Sequence, residues 1–329
     1  MPLAQPHRLM AVVVQTDFAW PDVGIERAVI EGAGHQLIAG DSTPMPADAV
    51  ARLVAQHDPQ AIMTCWAEVG AAAIAAPSAL RIVQRIGVGL DNIDVAVATG
   101  RGAWVANVPD YCVPEVSDHA IALLLDWARG IAAFDRDVKA GRWDPAAARL
   151  RRVSDLVVGI VGYGRIGRST AAKLRAFGCR ILAHSRSAFA DPPVEARSLD
   201  SLLADADVVV IHAPLTNETH HLIDGARLRR MRRGSFLINV SRGPIVDADA
   251  LIEALEDGHI SGAGLDVVEG EPDPPRALVD RADVIVTPHV AFSSDASLAE
   301  LRRRAAEEVV RVLAGEPPHH PCNRPESRS

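Results

Sequence analysis

Short apolar runs alternate with stretches of helical spacing along most of the chain. Leu9 to Val14, His35 to Ile38, Ala61 to Thr64, Leu80 to Ile86 and Ala103 to Val105 read as buried strands. Between them, Ile25 to Ala33 (ended by Gly34), Ala47 to Gln56 and Asp94 to Thr99 read as helices. In the second of these, Ala49, Val50, Leu53 and Val54 share one face. Strands separated by helices predict a parallel sheet, because parallel neighbours need a crossover. This first unit runs to about Tyr111.

Pro114 opens a long helix through Trp127 and Arg129. Its face Ile121, Leu124, Leu125, Ala128 is apolar, and so is much of the remainder, which predicts burial. Arg142 to Arg152 is basic and irregular and reads as a surface connection. From about Val153 the alternation resumes. Strands are expected at Arg180 to Ala183, Val208 to Ile211, Phe236 to Val240, Gly262 to Val267 and Val284 to Val286, with helices over Ser198 to Leu203 and Ala248 to Glu256. Ser297 to Leu313 is a long amphipathic helix, and the tail from Pro317 is expected to fray. The predicted class is α/β: two Rossmann-like or flavodoxin-like parallel-sheet domains, with residues 112–297 inserted in a domain made of 1–111 and 298–329.

Within the inserted domain, Val157 to Ser169 reads V-V-G-I-V-G-Y-G-R-I-G-R-S. A buried-strand run enters Gly162, Gly164 and Gly167, and helical spacing follows to Phe177. Gly162 allows a tight turn, Gly164 leaves room for a pyrophosphate against backbone, and Gly167 lets the helix pack close to the sheet. The helix N-terminus offers unpaired N–H groups to phosphates. The plainer alternative is a glycine-rich strand-to-helix turn without a ligand; the strand before and the helix after favour dinucleotide binding.

Composition narrows the class. Hydrophobic residues are 48% and charged residues 23%, a soluble globular balance. A net charge of −8 argues against a general nucleic-acid or acidic-membrane binder. No apolar run reaches membrane-spanning length, and the N-terminus lacks a secretory pattern. Cys65, Cys112, Cys179 and Cys322 have no metal or redox spacing and read as reduced thiols of a cytoplasmic protein. Arg227, Arg229, Arg230, Arg232 and Arg233 read as a solvated helix end, with an anion patch as the sharper alternative. His220-His221 and His319-His320 lack a nearby ligand pattern in sequence, so no metal is expected, and the second pair is expected to be disordered.

The notable polar residues fall at the carboxyl ends of the expected strands, where open α/β sheets place ligands. Arg242, Glu271 and His289 stand out among them. Hydride transfer at the C2 of a 2-hydroxy or 2-keto acid needs a proton donor or acceptor at the adjacent oxygen and a cation to polarise it. Histidine suits the first task, a neighbouring carboxylate would favour its charged form, and arginine offers a fork of charge-assisted bonds. Each has a duller explanation: a surface turn residue, an exposed loop acid, a satisfied strand-end histidine.

Here the residues carry a resemblance. R-I-G-V-G-L-D-N-I-D (85–94), N-V-P-D-Y-C-V-P-E-V-S-D-H-A (107–120), G-I-V-G-Y-G-R-I-G-R (159–168), L-I-N-V-S-R-G-P-I-V-D (237–247), G-L-D-V-V-E-G-E-P (264–272) and T-P-H-V-A-F (287–292) resemble, in order, the D-isomer-specific 2-hydroxyacid dehydrogenase family. The first two segments look closest to bacterial relatives of the C-terminal-binding proteins. The resemblance implies an NAD(P)-dependent 2-ketoacid reductase, with Arg242 binding substrate, His289 as acid/base and Glu271 as its partner; Glu269 is the competing acid. It implies that the backbone at Val88 and Gly89 holds the substrate carboxylate. Asp266 and the His212-Ala213-Pro214 turn would lie by the nicotinamide. Arg165, Ile166 and Val240 complete the expected cofactor contacts. It also implies a homodimer, with the Pro114 helix and the Arg142–Arg152 connection as candidate interface. A dinucleotide-sensing binding protein of the corepressor type is the alternative.

Two departures from the family pattern matter. Where NAD-using members carry an acid for the ribose hydroxyls, this chain places Ser185, followed by Arg186. No carboxylate would repel a 2′-phosphate there, so NADP(H) is expected over NAD(H); Arg186 as a merely solvated side chain is the alternative. After the histidine stands Phe292, which with Trp66 would form apolar walls for the substrate. Core packing is the alternative for both, and the favoured one for Trp66.

Overall fold

The computed structural model describes residues 10–325. Two compact units emerge: residues up to Tyr111 together with those from Ser294 onward, and Cys112–Ser293.

The first unit begins β1 (Val12–Asp17), α1 (Gly24–Gly32), β2 (Gln36–Asp41), α2 (Ala47–His57), β3 (Ala61–Thr64), α3 (Ala71–Ala75), β4 (Ile82–Arg85), α4 (Val95–Gly100) and β5 (Trp104–Ala106). Its five strands are all parallel, in the order β2-β1-β3-β4-β5. Helices cover both faces of such a sheet, so β3 is buried at every position. The core gathers Val14, Val50, Val54, Ile62, Ile74 and Val83.

Leu9 lies outside the described residues, and β1 runs further than its apolar stretch because Gln15, Thr16 and Asp17 are buried with partners. The Asp17 carboxylate accepts from the amides of Cys65 (3.0 Å), Trp66 (2.7 Å) and Ala67 (3.1 Å) and so fixes the loop after β3.

The second unit runs through α5 (Val113–Arg129), α6 (Ile131–Lys139), β6 (Val157–Val161), α7 (Arg165–Ala176), β7 (Arg180–His184), β8 (Glu195–Ala196), α8 (Leu199–Asp205), β9 (Val208–Ile211), α9 (Gly225–Arg230), β10 (Ser235–Asn239), α10 (Ala248–Glu256), β11 (Ile260–Leu265), α11 (Arg276–Val279) and β12 (Val284–Val286). Its seven parallel strands are ordered β12-β11-β10-β9-β6-β7-β8. The chain leaves β6 to one side for β7 and β8, then returns to pair β9 against the other edge of β6. That reversal opens a crevice outside the carboxyl ends of β6 and β9. Helix α6 was not expected from the sequence; its short apolar stripe of Ile131, Phe134 and Val138 has helical spacing, yet none of its residues is buried. In the arginine cluster around α9, Arg229 pairs with Asp257 and Arg232 with Asp207, which makes it a surface of ion pairs.

Helix α12 (Asp295–Leu313) returns to the first unit. Its start lies a few residues earlier than expected because Ser294 and Ser297 form a reciprocal capping box. Arg302 on α12 grips Glu26 on α1 with bonds of 3.0, 3.0 and 2.8 Å, both side chains being buried.

The tail does not fray as expected. Edge strand β5 leaves unpaired backbone groups, and the tail meets them: Cys322 N–H donates to Val105 O (2.7 Å), while Asn323 Oδ1 accepts from Val105 N–H (2.8 Å). His319 Nδ1 lies 2.5 Å from Glu308 and His320 Nε2 lies 3.2 Å from Arg304, so the histidine pair expected to be disordered is held. Residues 326–329 of the tail lie outside the described ones.

Candidate active site

The glycine turn sits at the carboxyl end of β6, on the crevice. Gly162 has φ 99°, and a Cβ there would lie 2.5 Å from the backbone of both His212 and Ala213. A Cβ on Gly167 would lie 2.2 Å from Gly162 O, so α7 presses on the turn. At Gly164 a Cβ would meet nothing within 4 Å, and no side chain caps the helix start. Tight glycines beneath, an open one above and a 12-residue helix presenting uncapped N–H groups fit a pyrophosphate. Arg165 is exposed and Ile166 half-buried in the first turn of α7. Tyr163 packs on Phe189, and its hydroxyl donates to Asp191 (2.6 Å); burial, reinforced by Asp191, pushes the phenol up to about 12.

The neighbouring turn carries His212, half-buried, and Pro214, exposed. His212 Nε2 lies 2.9 Å from Thr170 Oγ1, and burial pushes the ring down to about 3, which keeps it neutral. Among the described residues its buried Nδ1 meets no hydrogen-bond partner.

At the carboxyl end of β12 the chain turns sharply and places His289 at φ 53°, a conformation few non-glycine residues adopt. His289 Nδ1 lies 2.9 Å from Glu271 Oε1. Glu269 goes elsewhere, with Oε1 2.9 Å from His221 Nε2. The turn is held by Asp266, at the end of β11 and only 2% exposed. Its Oδ1 accepts from Thr287 Oγ1 (2.5 Å) and Val290 N–H (2.9 Å), and its Oδ2 from Ala291 N–H (2.9 Å). His289 N–H donates to Asp266 O (2.8 Å). His119 Nε2, from α5, completes the group 2.9 Å from Thr287 Oγ1. Sequence reasoning put Asp266 by the nicotinamide and missed its grip on the His289 turn; its place two residues before the Val268–Glu271 loop gave no sign of bonds 24 and 25 residues away.

Arg242 follows β10, with Nη1 donating to Ser241 O (2.7 Å) and its carbonyl accepting from Asn239 Nδ2 (2.9 Å). A Cβ on Gly243 would lie 2.2 Å from Val268 C and 2.4 Å from Glu269 N, so the Arg242 turn presses directly on the loop that carries Glu271. Val240, directly after β10, is 7% exposed. Phe292 meets the His289 ring edge-on, with centroids 6.3 Å apart. Ser185 is half-buried and Arg186 exposed, directly after β7.

In the other unit, the loop after β4 has its carbonyls engaged. Val108 N–H donates to Gly87 O (3.0 Å), Asn107 Nδ2 to Val88 O (2.7 Å) and Arg85 Nε to Gly89 O (3.0 Å). Trp66 is half-buried, with the Arg85 guanidinium 5.6 Å from its ring.

Comparison with known proteins supplies the family. Residues 121–291 match the profile described as D-isomer specific 2-hydroxyacid dehydrogenase, NAD binding domain. A glyoxylate reductase of Pyrococcus horikoshii is 35% identical over 316 residues, covering 92% of this chain and 93% of that one. The chain belongs to the D-isomer specific 2-hydroxyacid dehydrogenase family. Among solved structures, a protein of Thermus thermophilus superposes with TM-score 0.87 at 31% identity over 95% of this chain and 100% of that one. The NADPH-dependent glyoxylate/hydroxypyruvate reductase of Sinorhizobium meliloti, solved with NADP and malonate, gives 0.84 at 29% identity, covering 97% and 99%. The chemistry of this family member is NAD(P)-dependent hydride transfer between a 2-hydroxy acid and its 2-keto acid.

The Asp266 grip gives a prediction. In Asp266→Asn one oxygen becomes an N–H donor facing amide donors, so the His289 turn loosens. A misplacement near 1 Å costs up to about 10²-fold in rate. Steady-state kinetics should show kcat falling more than KM rises, with an unchanged circular dichroism spectrum.

Proposed function

We propose that the chain works as a 2-ketoacid reductase forming the D-2-hydroxy acid, in which His289 moves the proton, Glu271 orients it and Arg242 holds the substrate. The observation that carries this is the Glu271–His289 contact of 2.9 Å, on a turn braced by Asp266 at the sheet end that also bears the glycine turn. Glu271 accepts from Nδ1–H, so Nε2 is the ring atom left to exchange a proton with the substrate oxygen. Arg242 brings a planar cation to the carboxylate and the developing oxyanion. When bound, the dinucleotide supplies or accepts the hydride at its nicotinamide; Gly162, Gly164, Gly167 and the start of α7 would hold its pyrophosphate. A panel of 2-keto acids with both reduced dinucleotides tests the reading. Turnover is expected; saturable dinucleotide binding with no acid reduced would favour a sensing role instead.

Ser185 and the exposed Arg186 support a preference for NADP(H), since a guanidinium can pair with a 2′-phosphate. The expected kcat/KM is higher with NADPH than with NADH, and Arg186→Ala should erase most of the difference. A clear NADH preference in the wild-type protein would contradict it.

A homodimer through the second unit is part of the reading. Trp143 is 82% exposed, Ile131 61% and Val138 48%, an apolar surface on and beside α6 around a 370 Å³ groove lined also by Phe134 and Pro145. A second copy of this chain would cover it. Light scattering should give a dimer for the wild type and a monomer for Trp143→Arg; a monomeric wild type would refute it. A cytoplasmic location agrees with cysteines that form no disulfide among the described residues.

A further inference from the structure

We propose that His220, His221 and Glu269 form a binding site for a divalent transition-metal ion of the zinc type. The nearest acids in sequence are engaged elsewhere, Glu218 with Thr216 Oγ1 and Asp224 as the cap of α9, but the fold brings Glu269 to the histidines from the loop after β11. One ligand atom from each of the three lies within 4.8 Å of the others. His221 Nε2 is already 2.9 Å from Glu269 Oε1, and the two imidazole rings lie 4.1 Å apart. Donors at about 2.0–2.2 Å from a zinc ion lie somewhat over 3 Å from one another, so seating an ion needs only slight spreading of the His221–Glu269 pair.

The surroundings are those of a metal ligand set. Metal-bound histidine usually turns its second ring nitrogen toward a carboxylate, which fixes the tautomer and the ring plane. Here Asp247 Oδ2 lies 3.8 Å from His221 Nδ1. Asp247 is itself fixed, because its Oδ1 caps α10 by accepting from Ala250 N–H (3.1 Å). The His221 backbone is held at φ 47° by donation to Pro244 O (2.8 Å). Glu269 Oε2 faces Ala248 N–H at 3.4 Å, which leaves Oε1 toward the histidines. His220 is exposed and His221 half-buried, so an ion can enter from solvent. Two imidazoles and one carboxylate, with no thiolate, suit Zn²⁺, Co²⁺ or Ni²⁺ over Mg²⁺ or Ca²⁺ and leave a position for water. The site stands independently of the catalytic reading, yet an ion there would clamp the loop that reaches Glu271 two residues later.

The test is calorimetric titration of tag-free, chelator-treated protein with ZnCl₂, with MgCl₂ as control. One saturable Zn²⁺ site per chain and no Mg²⁺ binding are expected. His220→Ala changes an exposed side chain, leaves the His221–Glu269 pair in place and should weaken Zn²⁺ binding at least tenfold. Asp247→Asn keeps an oxygen for the helix cap and should weaken it by about 10–100-fold. Absence of saturable Zn²⁺ binding to the wild type would overturn the proposal. So would His220→Ala and Glu269→Gln proteins that bind as tightly as the wild type, because the ion would then sit elsewhere.

Discussion

His289→Asn is expected to lower kcat by about 10²–10⁴-fold, the usual share of a positioned acid/base, while the protein folds and binds dinucleotide normally. Asparagine suits the test because it tolerates the left-handed backbone that His289 adopts at φ 53°. It also keeps a polar group facing Glu271 but has no pair of nitrogens to relay a proton. Glu271→Gln should do less harm, since an amide oxygen still accepts from Nδ1–H and only the charge is lost. Stopped-flow and steady-state rates, with dinucleotide affinity measured by fluorescence quenching, separate the two effects. A near-normal kcat in His289→Asn would remove the histidine from the reaction.

Arg242→Lys carries the second large effect. An ammonium keeps the charge but loses the planar fork, and removing one preorganised oxyanion donor costs about 10²–10³-fold in rate. The backbone at this position is secured independently by Asn239 Nδ2 on its carbonyl and by the tight approach of Gly243 to Val268. The substitution should therefore leave the turn intact and appear in both kcat and KM for the keto acid, with little change for the dinucleotide. An equal loss of dinucleotide affinity would mean that the arginine serves the cofactor rather than the substrate.

What the sequence made legible follows from what it can encode locally. Strands such as Ala61–Thr64 and Val208–Ile211 are continuous apolar runs because both sheet faces are covered, and their extent is unchanged in the structure. The glycine turn is visible because close approaches of backbone demand missing side chains within a few residues. Asp17 was passed over because a buried carboxylate satisfied by three amides looks, in sequence, like the polar end of a strand. Asp266 stood in a recognisable motif, but its partners lie on a different loop, and only the fold shows which bonds it makes. His220 and His221 illustrate the same limit, since their acidic neighbour is 48 residues from His221. Helix α6 was passed over for a different reason: Ile131, Phe134 and Val138 keep helical spacing, but the stripe is short and covers no core, since Ile131 and Val138 are exposed.

The most direct measurement is a crystal structure of the wild-type chain with dinucleotide and oxamate, an unreactive mimic of a 2-keto acid. The account predicts the His289 Nε2 and the Arg242 guanidinium within hydrogen-bond reach of the inhibitor's oxygens, with Glu271 still on Nδ1. Oxamate bound away from both residues, or a His289 ring turned from it toward solvent, would contradict it.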